Sequence, residues 1–171
     1  IRFIKSLKIK TVCVLGNHDL YLLRLMGENS KNSSDLGIKA LLEAPDKNEL
    51  IDWLRHRPLV HVSGKYILVH AGIYPTWDTD TIKKLSHEIE QELQCDNWQK
   101  FISNLWGNCP NVWHSELKGE DRHRAISSTP TGLPAAAVRA FASLPVDSAL
   151  MPHCCENGMI IASGANCRVL L

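Results

Sequence analysis

The fold of this chain is decided by the stretch TVCVLGNHD, residues 11–19, in which an apolar run breaks into three polar side chains. The short β-branched run predicts a buried strand, and Gly16 permits a tight turn where that strand ends. In open α/β sheets, ligands bind outside the carboxyl ends of strands. The amide, imidazole and carboxylate of Asn17, His18 and Asp19 are therefore predicted to belong to a chemical site.

A second apolar run repeats this plan further along the chain. Residues 66–69 predict a strand that ends at His70, and residues 59–62 predict the strand before it. The three-residue gap between them contains Gly64, which favours a hairpin. Because asparagine oxygen and histidine nitrogen are ordinary ligands for Mn, Fe, Co or Zn, Asn17 and His70 are candidate metal ligands.

The remaining polar side chains are given roles in the same site. His18 is suited to act as a general acid beside a metal-bound phosphate, and Asp19 to orient an imidazole or to anchor the turn. Arg122 and Arg124 are candidates for binding phosphate oxygens, because a guanidinium makes two-point contacts. Two alternatives stay open from the residues alone. In the first, the Asn-His-Asp segment is only a polar turn that begins a helix. In the second, the two arginines lie in a solvated charged loop.

Length and composition restrict the class of protein. A chain of 171 residues suits one domain with a sizeable core. The net charge of +1 argues against a dedicated nucleic-acid binder, so no binding to a nucleic-acid duplex is expected. No apolar stretch approaches the roughly 18–20 residues of a membrane span. The six cysteines lack metal-binding spacing, which predicts reduced thiols in a cytoplasmic protein.

Apolar residues at helical spacing predict most of the remaining structure. The predicted helices cover residues 1–9, 20–26, 36–44, 46–57 and 79–94. Asp46 followed by Glu49 predicts a capping box at the start of the fourth helix. The fifth helix has an apolar stripe, with Glu88 and Glu92 predicted to face solvent.

The motifs carry a family resemblance. LGNHD at residues 15–19 and VHAG at residues 69–72 resemble the Gly-Asn-His-Asp and His-Ala-Gly motifs of calcineurin-like metallophosphatases. Further segments resemble the bacterial family of symmetrical bis(5′-nucleosyl)-tetraphosphatases, namely LEAPD at 42–46, DWLR at 52–55, HAGIYPTWD at 70–78, WGNCPN at 106–111 and ELKG at 116–119. This resemblance covers residues 1 to about 126.

The resemblance implies a fold and an activity. The implied fold is an α/β sandwich of mixed β-sheets flanked by helices, with two divalent metal ions (Mn, Co, Fe or Zn) at strand ends. The implied activity splits a dinucleoside polyphosphate, diadenosine tetraphosphate, symmetrically into two ADP. Asn17 and His70 match metal ligands, and His18 matches the general acid for the departing ADP. Arg122 or Arg124 matches a phosphate-binding arginine.

Two alternative functions remain beside this one. A phosphoprotein phosphatase of the same superfamily would share the Asn-His and His-Gly elements, although the segments at residues 42–46 and 75–78 argue against it. A non-catalytic remnant is favoured by missing ligands, because the family's Gly-Asp-x-His-Gly and Gly-Asp-x-x-Asp-Arg-Gly motifs are absent from this sequence. These motifs are expected before Ile1, so the domain is expected to be truncated at its N-terminus and impaired in activity.

The C-terminal segment differs in character from the rest. Residues 127–171 are poor in charged side chains and rich in Ala, Ser and Pro. The family's last metal histidine has no match, since His153 lies in Met-Pro-His-Cys-Cys. We therefore predict a partial metallophosphatase domain at residues 1–126, followed by an atypical tail that is out of frame or disordered.

Overall fold

The chain is predominantly helical in the residues that the computed structural model describes, which are 1–28, 36–64, 66–107, 110, 112–131 and 161–163. The helices are α1 (Arg2–Ser6), α2 (Asn17–Gly27), α3 (Leu36–Leu42), α4 (Lys47–Arg55), α5 (Thr79–Gln94), α6 (Trp98–Asn104) and α7 (Gly119–Thr131). The strands are β1 (Thr11–Cys13), β2 (Val60–Ser63), β3 (Tyr66–Val69) and β4 (Ile161–Ser163). None of the described helices is both long enough and apolar enough to span a membrane.

The strands form two separate antiparallel pairs. Strands β2 and β3 make the predicted hairpin, with Val60 opposite Val69. Its turn contains Gly64 at φ 57°, a left-handed conformation that glycine adopts without steric cost. Strand β1 pairs with β4, with Cys13 opposite Ile161. The predicted α/β class is confirmed. Of the expected mixed sheets, the described residues contain these two antiparallel pairs.

Helix α5 lies at the centre of the core. It begins as predicted after Asp78, whose carboxylate accepts the backbone N–H of Thr81 at 2.8 Å. Its apolar stripe packs against α4, α6, α7 and β2, and α2 packs against α4 and α6. The fully buried apolar side chains of the core are Leu15, Leu20, Leu23, Leu59, Ile82, Ile89, Leu93, Ile102 and Ile126.

The predicted capping box at the start of α4 is wrong. The Asp46 side chain makes no cap hydrogen bond, and it accepts instead from Arg2 of α1, with Nε at 2.8 Å from Oδ2. Glu49 likewise pairs with Lys5 at 2.6 Å. A two-point, charge-assisted contact from a distant guanidinium outcompetes a single backbone N–H. The two carboxylates therefore attach α1 to α4.

Helix α7 continues past the domain boundary predicted at residue 126. Ser127 and Thr131 are fully buried, and the Thr131 hydroxyl donates to the Ser127 carbonyl at 2.7 Å. Strand β4 is the other described part of the segment 127–171. His153 and the rest of that segment lie outside the described residues, so the proposed tail stays a prediction.

Glu90 ties α5 to the start of β2 and gives a pH-dependent contribution to stability. Its carboxylate accepts the Leu59 backbone N–H at 2.8 Å, and burial raises its pKa above the ordinary value of 4.5. The native state therefore binds more protons than the unfolded state between these two pKa values. Accordingly, the free energy of unfolding falls as the pH rises through that window.

We expect Glu90→Gln to flatten this fall, because it removes the titration and keeps an acceptor for the Leu59 N–H. Glu90→Ala should instead destabilise at all pH values, by about 1–3 kcal/mol, because it orphans that N–H. Urea unfolding across the acidic to neutral range measures both effects, with Glu92→Gln as the exposed control on the same helix. An unchanged pH slope in Glu90→Gln would contradict the assignment.

Candidate metal centre

The polar triplet of the opening motif begins helix α2. The β1 ladder ends at Cys13, and the chain continues through the buried residue Leu15, whose N–H donates to the Pro58 carbonyl at 2.8 Å. Asn17 is the first residue of α2 and is half-buried, whereas His18 is exposed. The segment therefore begins a helix, as the alternative of a polar turn predicted. It also carries the two candidate site residues Asn17 and His18.

Asp19 closes the turn at the start of α2. Its Oδ2 accepts the Gly16 N–H at 2.9 Å, which satisfies a donor just before the helix. Burial raises the pKa of Asp19, while the Gly16 N–H and the nearby His70 and His18 lower it. The structure therefore shows Asp19 anchoring the turn, and its catalytic role stays a prediction.

The two motifs meet through Gly16 and His70. A Cβ built on Gly16 would lie 2.8 Å from Nδ1 of His70 and 2.9 Å from Cγ and Cε1. Real Cβ atoms do not tolerate such distances, so the imidazole takes the place that any larger residue would fill. This contact forms although β1 and β3 belong to different sheets. The structure thereby brings His70 beside the segment that carries Asn17, His18 and Asp19.

The donor set fits part of a metal site. Asn17 offers an amide oxygen and His70 an imidazole nitrogen, both ordinary ligands for divalent transition metals. Within the described ranges, no group of three or more His, Cys, Asp or Glu side chains could hold a metal ion. Two side-chain donors hold a metal ion weakly, since stable sites in proteins use about four ligands or more.

Arg122 lies on α7, and its guanidinium is bound on one edge by Glu88 of α5. Its Nε is 2.8 Å from Oε1 and its Nη2 is 3.0 Å from Oε2. The ring of Trp113 lies 5.2 Å from the guanidinium carbon. The prediction that Glu88 faces solvent is wrong. No signal in the sequence separates it from Glu92, which also directly precedes an apolar stripe residue and is exposed.

Arg124 uses all of its nitrogens within the protein. Its Nε donates to the Asn104 carbonyl at 2.9 Å, Nη1 to Asp121 at 2.9 Å and Nη2 to Glu120 at 2.8 Å. A Cβ on Gly107 would lie 3.1 Å from its Nε. Arg124 therefore fastens α7 to the end of α6. The segment around both arginines is helical and is not the charged loop of the alternative interpretation.

An aromatic cluster joins the loop after His70 to the region of Arg122. Trp77 packs against Tyr74 at 5.7 Å between ring centroids and edge-on against Trp113 at 5.2 Å. Its indole N–H is buried without a hydrogen-bond partner among the residues described. Sequence reasoning did not identify Trp113 as a partner of Arg122, because the contact joins a loop residue to a helix that had not been predicted.

Comparison with known proteins identifies close relatives. The chain is 42% identical over 133 residues to the symmetrical bis(5′-nucleosyl)-tetraphosphatase of Aromatoleum aromaticum, covering 77% of this chain and 48% of that protein. It is 44% identical over 132 residues to the protein of the same name from Dechloromonas aromatica, with the same two coverages. For Klebsiella pneumoniae the identity is 42% over 130 residues, covering 75% and 46%. The chain thus spans about half the length of these curated relatives.

A family model gives the broader assignment. The model described as calcineurin-like phosphoesterase matches residues 1–139, which include both motifs and the whole of α7. Phosphoesterases of this kind use divalent metal ions, in agreement with the donor chemistry of Asn17 and His70. The chain therefore belongs to the calcineurin-like phosphoesterase family.

Proposed function

We propose that the intact protein containing this chain hydrolyses diadenosine tetraphosphate symmetrically into two ADP. The observation that carries this proposal is the contact of His70 with Gly16, which brings an imidazole ligand to the segment of Asn17 and His18. The names of relatives 42–44% identical to this chain support the substrate. The substrate class is a dinucleoside polyphosphate, recognised through its phosphate oxygens.

Each residue of the site has a distinct part in the proposed reaction. Asn17 and His70 would hold one ion of a two-metal site for Mn²⁺, Co²⁺, Fe²⁺ or Zn²⁺. When bound, such ions supply an activated hydroxide and neutralise charge on the phosphoryl oxygens. His18, exposed on the first turn of α2, gives a proton to the oxygen of the departing ADP. Asp19 keeps that turn closed.

The two arginines have different roles in this proposal. Arg122 binds phosphate through Nη1, which makes no hydrogen bond to the described residues. Arg124 has every nitrogen engaged and keeps α7 against α6. The phosphate-binding role is therefore assigned to Arg122 alone.

The compartment is also part of the proposal. Within the part of the chain that the structure describes, Cys13 and Cys95 are free thiols, and Cys95 is exposed. Because exposed thiols persist in a reducing compartment, they support a cytoplasmic location. Non-reducing mass spectrometry of protein isolated from cells tests this, and a mixed disulfide at Cys95 would argue for another compartment.

We expect this chain alone to release little or no ADP, because its described residues supply two side-chain donors for metal. The test measures ADP formed from diadenosine tetraphosphate with added Mn²⁺ or Co²⁺, for this chain and for the full-length gene product. A phosphopeptide assayed in parallel tests the phosphoprotein phosphatase alternative. Clear turnover by the chain alone would contradict the expected impairment. Absence of turnover by the full-length protein would contradict the proposed function.

A further inference from the structure

Arg122 is held on two sides by side chains that have no role in the proposed chemistry. Glu88 contacts two of its nitrogens in the plane of the guanidinium. Its guanidinium carbon lies over the Trp113 ring, 5.2 Å from the ring centroid, within the range of a cation–π contact. The Arg122 side chain is only 22% exposed, so it is fixed by packing as well as by hydrogen bonds. A long, flexible side chain is thereby restricted to a narrow set of rotamers.

The two holding residues are themselves held. His123 places its Nε2 3.4 Å from the same Glu88 oxygen that accepts from Arg122. Trp113 packs edge-on against Trp77, which is almost fully buried. Each support of Arg122 therefore has a support of its own. This layered arrangement is typical of preorganised binding groups.

We infer that Glu88 and Trp113 are positioning residues that fix Arg122 so that its Nη1 edge binds a phosphate oxygen of a nucleotide substrate. The inference rests on the proposed function, because it deepens the assignment of the phosphate-binding group. The electrostatics support positioning over attraction. The Glu88 carboxylate at 2.8 Å offsets much of the guanidinium charge. An arginine that acted only by attracting phosphate through its charge would be expected to lack such a partner.

Arg124 provides the internal contrast. It lies on the same helix and also pairs with carboxylates, yet each of its three nitrogens already donates to an acceptor. It also lacks a described aromatic ring against its face. Among the described residues, the two arginines therefore differ in one property that favours ligand binding, because Nη1 of Arg122 donates to no acceptor whereas every nitrogen of Arg124 donates to one. This difference supports the inference that Glu88 and Trp113 position Arg122 for ligand binding.

The first experiment changes the reach of the carboxylate and keeps its charge. Glu88→Asp shortens the side chain by one methylene, which withdraws both carboxylate oxygens from Nε and Nη2 of Arg122. In the full-length protein we expect KM for diadenosine tetraphosphate to rise about tenfold with kcat within about twofold, as for loss of a binding contact. Glu92→Asp, one turn further along α5 and exposed, is the matched control and should leave both constants unchanged.

The second experiment is independent of turnover. Inorganic pyrophosphate is titrated into this chain without metal, and binding is followed through the phosphorus NMR signal of pyrophosphate, which is the same probe for wild type and for every variant. We expect wild type to bind, Glu88→Asp and Trp113→Ala to bind several-fold more weakly, and Arg122→Lys to bind weakest, since lysine keeps the charge and loses the planar fork.

The outcomes separate this inference from the proposed function. If Glu88→Asp lowers the melting temperature but leaves KM and pyrophosphate affinity unchanged, Glu88 only links α5 to α7 and the inference is overturned. A wild-type chain that binds no pyrophosphate overturns it as well. A full-length protein that binds pyrophosphate through Arg122 but does not cleave diadenosine tetraphosphate contradicts the proposed function and supports the inference.

Discussion

Replacing Gly16 with alanine is expected to abolish detectable divalent-metal binding at His70 while leaving the chain folded. The new Cβ would lie 2.8–2.9 Å from three atoms of the imidazole ring. The backbone of Gly16 is extended, at φ −108° and ψ −179°, which any residue adopts without strain. Because His70 is exposed, its ring relieves the clash by turning into solvent. The substitution is therefore expected to move the His70 ring and to leave the backbone conformation at residue 16 unchanged.

The expected loss is large because the site has few donors. Misplacing one ligand through its surroundings typically costs about 10–100-fold in metal affinity. A site that starts with Asn17 and His70 falls below detection after such a loss. The measurement is a Mn²⁺ titration of this chain, followed by paramagnetic broadening of the His70 ring signals.

Gly72→Ala is the matched control, because a Cβ there meets nothing within 4 Å and the residue lies two positions after His70. In this control, Mn²⁺ should broaden the His70 ring signals as much as it does in wild type. A double variant, Gly16→Ala with His70→Ala, tests the cause: without the ring, the added methyl should leave the melting temperature of His70→Ala unchanged. If Gly16→Ala binds Mn²⁺ as tightly as wild type, the described contact does not position His70.

The site was predictable from sequence where its geometry is local. Asn17, His18 and Asp19 follow an apolar run and a glycine, and Asp19 reaches back only three residues to the Gly16 N–H. For His70, the sequence predicted only that a second strand end contributes to the same site, and not the contact that brings it there. Among the described residues, β1 and β3 lie in different sheets, and the two motifs meet at a glycine without a side chain. Packing between separate sheets leaves no periodic signal in the sequence.

The missed parts of the fold have the same physical origin. Helix α5 was predicted because its stripe and its Asp78 cap are encoded within the helix. Helix α7 carries a mixture of charged and small polar residues, and its amphipathic pattern is weak. Helix α7 is held in place by Ile126, which is buried in the core, and by Arg122, which binds Glu88 of α5. Contacts between residues far apart in the sequence therefore determined structure that local propensity did not predict. The hydrogen bond from Arg2 to Asp46 is another such contact.

Truncating Ile89 to alanine is expected to lower the free energy of unfolding by about 2–5 kcal/mol. Ile89 is fully buried at the centre of α5, where that helix packs against α6, α7 and β2. The loss combines removed apolar contact with a cavity that the surrounding helices cannot fill. Because domains of this size are stable by about 5–15 kcal/mol, the substitution removes a large fraction of the total.

Chemical denaturation measures this loss, with Ile89→Val and Lys84→Ala as graded controls on the same helix. The valine variant should lose about 0.5–1.5 kcal/mol, and the exposed lysine should change stability by less than about 0.5 kcal/mol. A loss below 1 kcal/mol for Ile89→Ala would contradict the described core. Glu88 and Glu90 flank Ile89 and act on different partners, Arg122 and Leu59. Unlike Glu88→Asp, Ile89→Val keeps both carboxylates, so it should reduce stability without raising KM.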